Sequence, residues 1–187
     1  MIERFWFWFL PLVVRALFIP HFEIGRVRDR VYNTRYTIVP TWVACWFGKH
    51  AVFLHHFQSD DATNDFHNHP YDHSTAYILA GGYWEERAFF IRALCQRLQP
   101  SLAAYVGATW LDYRAGEKNE LRPHTFHRVE LIDKVRGCWT LFVAGEKVQP
   151  WGFWNRNTGE FRKWTGKPPG LPPPEFYDGP PPEDGAA

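Results

Sequence analysis

Hydrophobic positions along this chain fall in short runs rather than in long helical stripes. YTIVPTWVACWF (36–47) and AVFLHHF (51–57) are brief, aromatic and β-branched, the texture of strands. STAYILAGGYWEE (74–86) predicts a strand, a turn at Gly81-Gly82 and a second strand. Residues 105–113 return to strand character, and ELRPHTFHRVEL (120–131) predicts a turn at Pro123 followed by a strand. CWTLFVAGEKVQPWGFW (138–154) is the strongest strand signal, broken by a turn at Gly145. Residues 88–99 are ambiguous: Phe90, Leu94 and Leu98 recur at helical spacing, but an irregular pair of strands fits as well. Many short strands with turn signals between them predict a barrel or a sandwich.

The two ends differ from this middle. FWFWFLPLVV (5–14) is an unbroken apolar run, too short to span a bilayer, with Pro11 inside it and Arg15 just after it. Glu3 and Arg4 cancel ahead of it and no small-residue cleavage site follows, so a signal peptide is not indicated. The run is expected to pack on the barrel or on a partner subunit, with an interfacial membrane contact as the lesser reading. Residues 167–187 hold eight of the fifteen prolines and predict an extended, disordered tail. The expected organisation is an N-terminal extension over 1–30, a barrel over 31–166 and the tail over 167–187.

Composition narrows the function classes. A chain of 187 residues holds one ordinary domain. Its net charge of +1 is not the footprint of a protein held by nucleic-acid phosphates, so no nucleic-acid partner is expected. Arg26, Arg28, Arg30 and Arg35 form a local basic cluster, read as a solvated face. The three cysteines, Cys45, Cys95 and Cys138, lie far apart, which argues against a disulfide framework and a zinc-thiolate site and suits a cytoplasmic protein.

Histidine carries the candidate chemistry. Six of the nine histidines fall between residues 50 and 73, and two more are His124 and His127. In Asp65-Phe66-His67-Asn68-His69-Pro70 an extended backbone would aim His67 and His69 to one side. Neutral imidazoles are common ligands for zinc, iron, copper and nickel. Two make a weak site. His127 is the natural third ligand, because an inward His127 also turns Val129 and Leu131 inward; His124, in the turn itself, is the alternative. His50, His55 and His56 read as ordinary strand residues, with at most one of the adjacent pair able to see a cavity. Tyr83, Glu85 and Arg128 are weaker candidates for contact with a ligand, and adjacent Glu85 and Glu86 would diverge on a strand.

These motifs resemble the cupin superfamily. The first cupin motif corresponds to His67-Asn68-His69 followed by a strand up to Gly81, and the second to Gly116, Pro123 and His127, over roughly residues 50–150. The finer pattern is similar to small single-domain proteins of bacteria and bacteriophages, mostly of unassigned function. It comprises His67–Asp72, Gly81–Tyr83, His127–Leu131, and Trp139–Phe142 with Trp151–Phe153. The resemblance implies an all-β, single-domain cupin barrel (double-stranded β-helix, or jelly roll) and one divalent metal ion on His67, His69 and His127, with Fe(II) favoured and Zn, Ni or Mn as alternatives. The usual cupin Glu is missing, which leaves Asp72, His73 or water as the fourth ligand. Three functions follow as expectations: a metal-dependent oxygenase acting on a small molecule, a non-catalytic ligand- or partner-binding barrel with a structural metal, and an isomerase or epimerase. The resemblance also implies a possible homodimer, in the host cytoplasm if the chain is phage-encoded.

Overall fold

A computed structural model describes residues 2–17, 19, 21–27, 30–61, 65–90 and 105–163. Two six-stranded antiparallel sheets face each other. The first runs in the order β1 (His21–Val27), β2 (Arg30–Val39), β3 (Ala51–Phe57), β10 (Cys138–Ala144), β5 (Ser74–Ala80) and β8 (Lys118–Leu121). The second runs β12 (Phe161–Lys163), β11 (Gly152–Trp154), β4 (Phe66–His67), β9 (His127–Leu131), β6 (Gly82–Phe90) and β7 (Tyr105–Arg114).

The pairing pattern identifies the architecture. β3 pairs with β10, β4 with β9, β5 with β8 and β6 with β7. That is one long hairpin, and rolling it up brings β10 beside β5 and β9 beside β6. The result is a double-stranded β-helix, or jelly roll. The all-β barrel expected from the short strands is the fold observed.

Gly81-Gly82 is therefore not a hairpin turn. β5 and β6 lie in different sheets, and the two glycines make the corner between them. Gly81 has φ +74°, and a Cβ there would run into the carbonyl oxygen of Gly137; a Cβ on Gly82 would meet that of Tyr113. Close backbone approach at a strand corner admits no side chain.

The buried apolar residues form separate clusters. Ile78, Tyr83, Val129, Leu131 and Cys138 form one cluster, and Ala51, Tyr71, Ala76, Leu121, Phe142 and Ala144 form another. The burial alternation of β9, with His127, Val129 and Leu131 buried and Arg128 and Glu130 less so, is the period of 2 read from the sequence.

Three elements differ from the sequence reading. The stretch 36–47 is strand only as far as Val39. Pro40 lacks an N–H for the ladder and is the N-cap of α2 (Thr41–Trp46), its carbonyl accepting from the Val43 and Ala44 N–H groups at 3.0 Å. The aromatic residues that imitate a strand, Trp42, Trp46 and Phe47, are exposed there. Part of the N-terminal extension adds β1 to the first sheet. The apolar run forms α1 (Ile2–Ala16), whose Leu10 and Val14 are buried against Leu54, Ala80 and Trp139 on the outer face of that sheet. Residues 88–90 continue β6; residues 91–99, Cys95 and the tail over 167–187 lie outside the described residues.

Candidate metal centre

Three histidines meet on the inner face of the second sheet. His67 of β4 stands directly opposite His127 of β9. Facing residues of antiparallel strands project to the same side, and their ring centroids are 4.4 Å apart. β4 ends at His67, so His69 is not in a strand. It is turned inward by its anchors instead. Buried Asn68 points the other way, where its Oδ1 accepts from the Gly152 N–H at 2.8 Å and its own N–H donates to the Gly152 carbonyl at 3.1 Å. Gln149 Nε2 donates to the His69 carbonyl at 2.8 Å and also to that of Pro123, tying the His69 segment to the turn before β9.

One ligand atom from each of His67, His69 and His127 lies within 4.8 Å of the other two. The Nε2 atoms of His69 and His127 face each other at 2.9 Å. Two imidazoles on one ion, each about 2.1 Å from it at a right angle, would place their nitrogens roughly 3 Å apart. The donor set therefore fits a divalent ion of borderline character.

The far nitrogens point at carboxylates. His67 Nδ1 lies 3.5 Å from Asp61 Oδ2, and His127 Nδ1 lies 3.4 Å from Glu85 Oε2. Both distances exceed a good hydrogen bond, and His127 Nδ1 makes none among the described residues. The arrangement is nonetheless the one that fixes a metal-binding histidine's ring and tautomer, with a carboxylate on the nitrogen away from the ion. Asp61 also accepts from the Val129 N–H at 2.7 Å, which holds it in place.

Glu85 is fully buried and well supported. Arg87 Nε donates to its Oε1 at 2.6 Å, and Asn119 Nδ2 donates to its Oε2 and to the Tyr83 hydroxyl. Burial pushes this carboxyl up, but His127 and Arg87 outweigh burial and hold it at about 2. His67 is brought down to about 4, by burial first and His127 next, against the opposing pull of Asp61 and Glu85. Burial, aided by His127 and His67, also takes His69 well below the usual histidine range. His67 and His69 are thus neutral near pH 7, with a lone pair available.

The other candidates lie elsewhere. Asp72 and His73, weighed as fourth ligands, pair with each other at 2.8 Å ahead of β5, and His73 Nε2 is 3.3 Å from Lys49 Nζ. Neither belongs to the histidine grouping. Arg128 is on the outer face, bonded to Glu86 and Glu130 and lying over Trp110. Tyr83 faces inward and reaches the centre through Asn119 and Glu85. His124 is exposed in the turn.

Of the adjacent pair, His55 is buried on the inner side and His56 stacks on Trp139 beneath α1. Arg35, read as part of a solvated basic face, instead pairs across the strands with inward His55. Sequence reasoning missed Asp61 and gave Glu85 little weight; a carboxylate two residues from an inward tyrosine on a strand was the available signal for Glu85.

No family model matches the chain, and no curated protein matches it. Among solved structures it is similar to HppE in its Fe(II) form, at 12% identity over 67% of this chain and 55% of that one, with a TM-score of 0.46. It is similar to an oxalate oxidase at 13% identity over 69% and 58%, TM-score 0.44. It is also similar to Bacillus subtilis oxalate decarboxylase, described with Mn(II) centres, at 16% over 66% and 28%, TM-score 0.44. The chain spans a little over half the length of HppE and about a quarter of that decarboxylase. The fold itself, an all-β double-stranded β-helix with a histidine trio at its inner face, rests on the strand order and side chains of this chain.

Proposed function

We propose that this chain is a mononuclear metal-binding protein of the cupin type that acts as an oxygenase on a small molecule, holding Fe(II) on His67, His69 and His127. The observation that carries the reading is the convergence of three imidazoles inside the barrel, two of their Nε2 atoms 2.9 Å apart, with a carboxylate behind each of two rings, that of Glu85 fully buried. When bound, the ion supplies Lewis-acid or redox chemistry at coordination positions that three protein ligands leave open. The chain's own part is to hold the rings and keep water out. Asp61 and Glu85 stand behind the His67 and His127 rings, Asn68 and Gln149 anchor the His69 segment, and Phe142, against His55 and His69, makes one wall apolar.

Elemental analysis of the purified, untagged protein after anaerobic handling tests this. Iron near one per chain is expected, with His127→Ala empty and still folded. Full occupancy in His127→Ala would refute the ligand assignment. Oxygen consumption on a substrate panel then separates oxygenase from isomerase, whose turnover survives oxygen removal. A protein without metal after reconstitution would be the non-catalytic binding barrel.

Pairing of two copies is part of the same proposal. Phe5, Trp8, Phe9 and Leu12 leave an exposed apolar face on α1, and such faces commonly mark contacts between chains. Sedimentation at micromolar concentration is expected to give a dimer.

A further inference from the structure

Across the barrel from the histidine trio, the inner face of the first sheet carries a second row of polar side chains. Arg35 of β2 stands opposite His55 of β3, and His55 stands opposite Thr140 of β10. Cross-strand partners project to one face, so Arg35, His55 and Thr140 line up side by side facing the interior. Phe142, two residues along β10 from Thr140, fixes which interior. Its ring lies 5.2 Å from that of His55 and 5.5 Å from that of His69. The row is separated from the candidate metal centre by about one aromatic ring.

We infer that Arg35, His55 and Thr140 form a recognition subsite for the carboxylate of a small organic acid, whose remaining atoms would extend past Phe142 towards His67, His69 and His127. The inference rests on the reading of this interior as the functional site, and it does not require the metal.

Chemistry selects the ligand class. Arg35 Nε donates to His55 Nε2 at 3.1 Å. An imidazole that accepts at Nε2 carries its proton on Nδ1, so the bond makes His55 a neutral donor at its other nitrogen. Burial and the neighbouring Arg35 keep His55 neutral. Thr140 Oγ1 is fully buried and makes no hydrogen bond among the described residues. Such an atom is costly to leave unmet. The Arg35 guanidinium lies 4.5 Å over the Phe53 ring, which holds its plane. A planar cation, an N–H donor and a hydroxyl thus occupy one apolar-walled strip. A planar anion that takes two parallel N–H bonds matches this set, and carboxylate is that anion. A spherical cation or a neutral amide matches it less well.

Titration of the full-length protein by two-dimensional NMR tests the subsite, in both metal-free and zinc-loaded forms. The probes are acetate, malonate and succinate, set against acetamide and succinamide. Saturable shifts at His55 and Thr140 are expected, with succinate bound about tenfold or more tightly than succinamide. Arg35→Met should abolish that preference while zinc stoichiometry stays unchanged. Thr140→Val, which keeps shape and loses the hydroxyl, should weaken succinate several-fold and serves if Arg35→Met does not fold. No saturable shift with any carboxylate, equal affinity for acid and amide, or an unaltered preference in both variants would overturn the subsite. Carboxylate binding that persists in a protein unable to hold zinc would overturn the metal reading and leave the subsite standing.

Discussion

Glu85 is the residue on which most of the interior polar network converges. It receives Arg87 and Asn119 and faces His127 Nδ1. Removing its charge without changing its shape should loosen His127 rather than the barrel. Glu85→Gln is therefore expected to keep the fold and lower metal affinity about 10- to 100-fold, as measured by chelator competition. Its titration has a sign. A carboxyl held at about 2 in the folded protein, below its ordinary 4.5, gives stability that is complete above pH 4.5 and lost as pH falls towards 2. His67 acts in the same direction at higher pH. Its folded value of about 4 lies below the ordinary 6.5, so the unfolded chain takes up the proton first. Stability is full above pH 6.5 and declines towards pH 4, by about 3 kcal/mol from this one group. Urea denaturation of metal-free protein at pH 7, 5.5 and 4.5 is expected to show that decline, and His67→Gln should flatten it.

At the scale of elements, strand corners and the packed helix set the tolerance to change. Gly81 sits at φ +74° with the Gly137 carbonyl against the position its Cβ would take. Gly81→Ala is expected to cost about 1–3 kcal/mol in thermal or denaturant unfolding. Leu10 is buried between α1 and the first sheet, and Leu10→Ala should cost about 2–5 kcal/mol. That loss should leave metal binding intact, since α1 covers the outer face of the sheet and the trio lies inside. β4 is two residues long, yet it carries His67, and its hydrogen-bonded neighbours on both sides, β11 and β9, compensate for its shortness. The aromatic run 41–47 misleads for a physical reason. Trp and Phe favour strands because they pack on a half-buried sheet, but Pro40 removes the ladder and leaves them on an exposed helical turn.

At the scale of the whole molecule, the rolled hairpin makes one interior from two sheets. The second sheet contributes His67, His127 and Glu85, and the first contributes Arg35, His55 and Thr140. No described helix is long and apolar enough to cross a membrane, and α1 instead offers an outward face of Phe5, Trp8, Phe9 and Leu12. Replacing Trp8 and Leu12 with Ser together should shift sedimentation towards the monomer while leaving metal content unchanged.

Alternation along single strands was legible from the residues alone. The order His127, Val129, Leu131 already put one histidine on an apolar face, and the spacing of His67 and His69 suggested two more on another. Period-2 patterning fixes which residues share a side, because each strand's pleat is local. It does not fix which strand lies beside which, or which side becomes the interior. Only the rolling of β3–β10 set His67 opposite His127, brought Asp61 and Glu85 behind their rings, and turned Arg35 from an apparent surface cation into a neighbour of His55. Apart from Asp61 and His67, which are six positions apart, those contacts join residues 20 to 60 positions apart, and their partners are chosen by sheet closure, which no local pattern encodes.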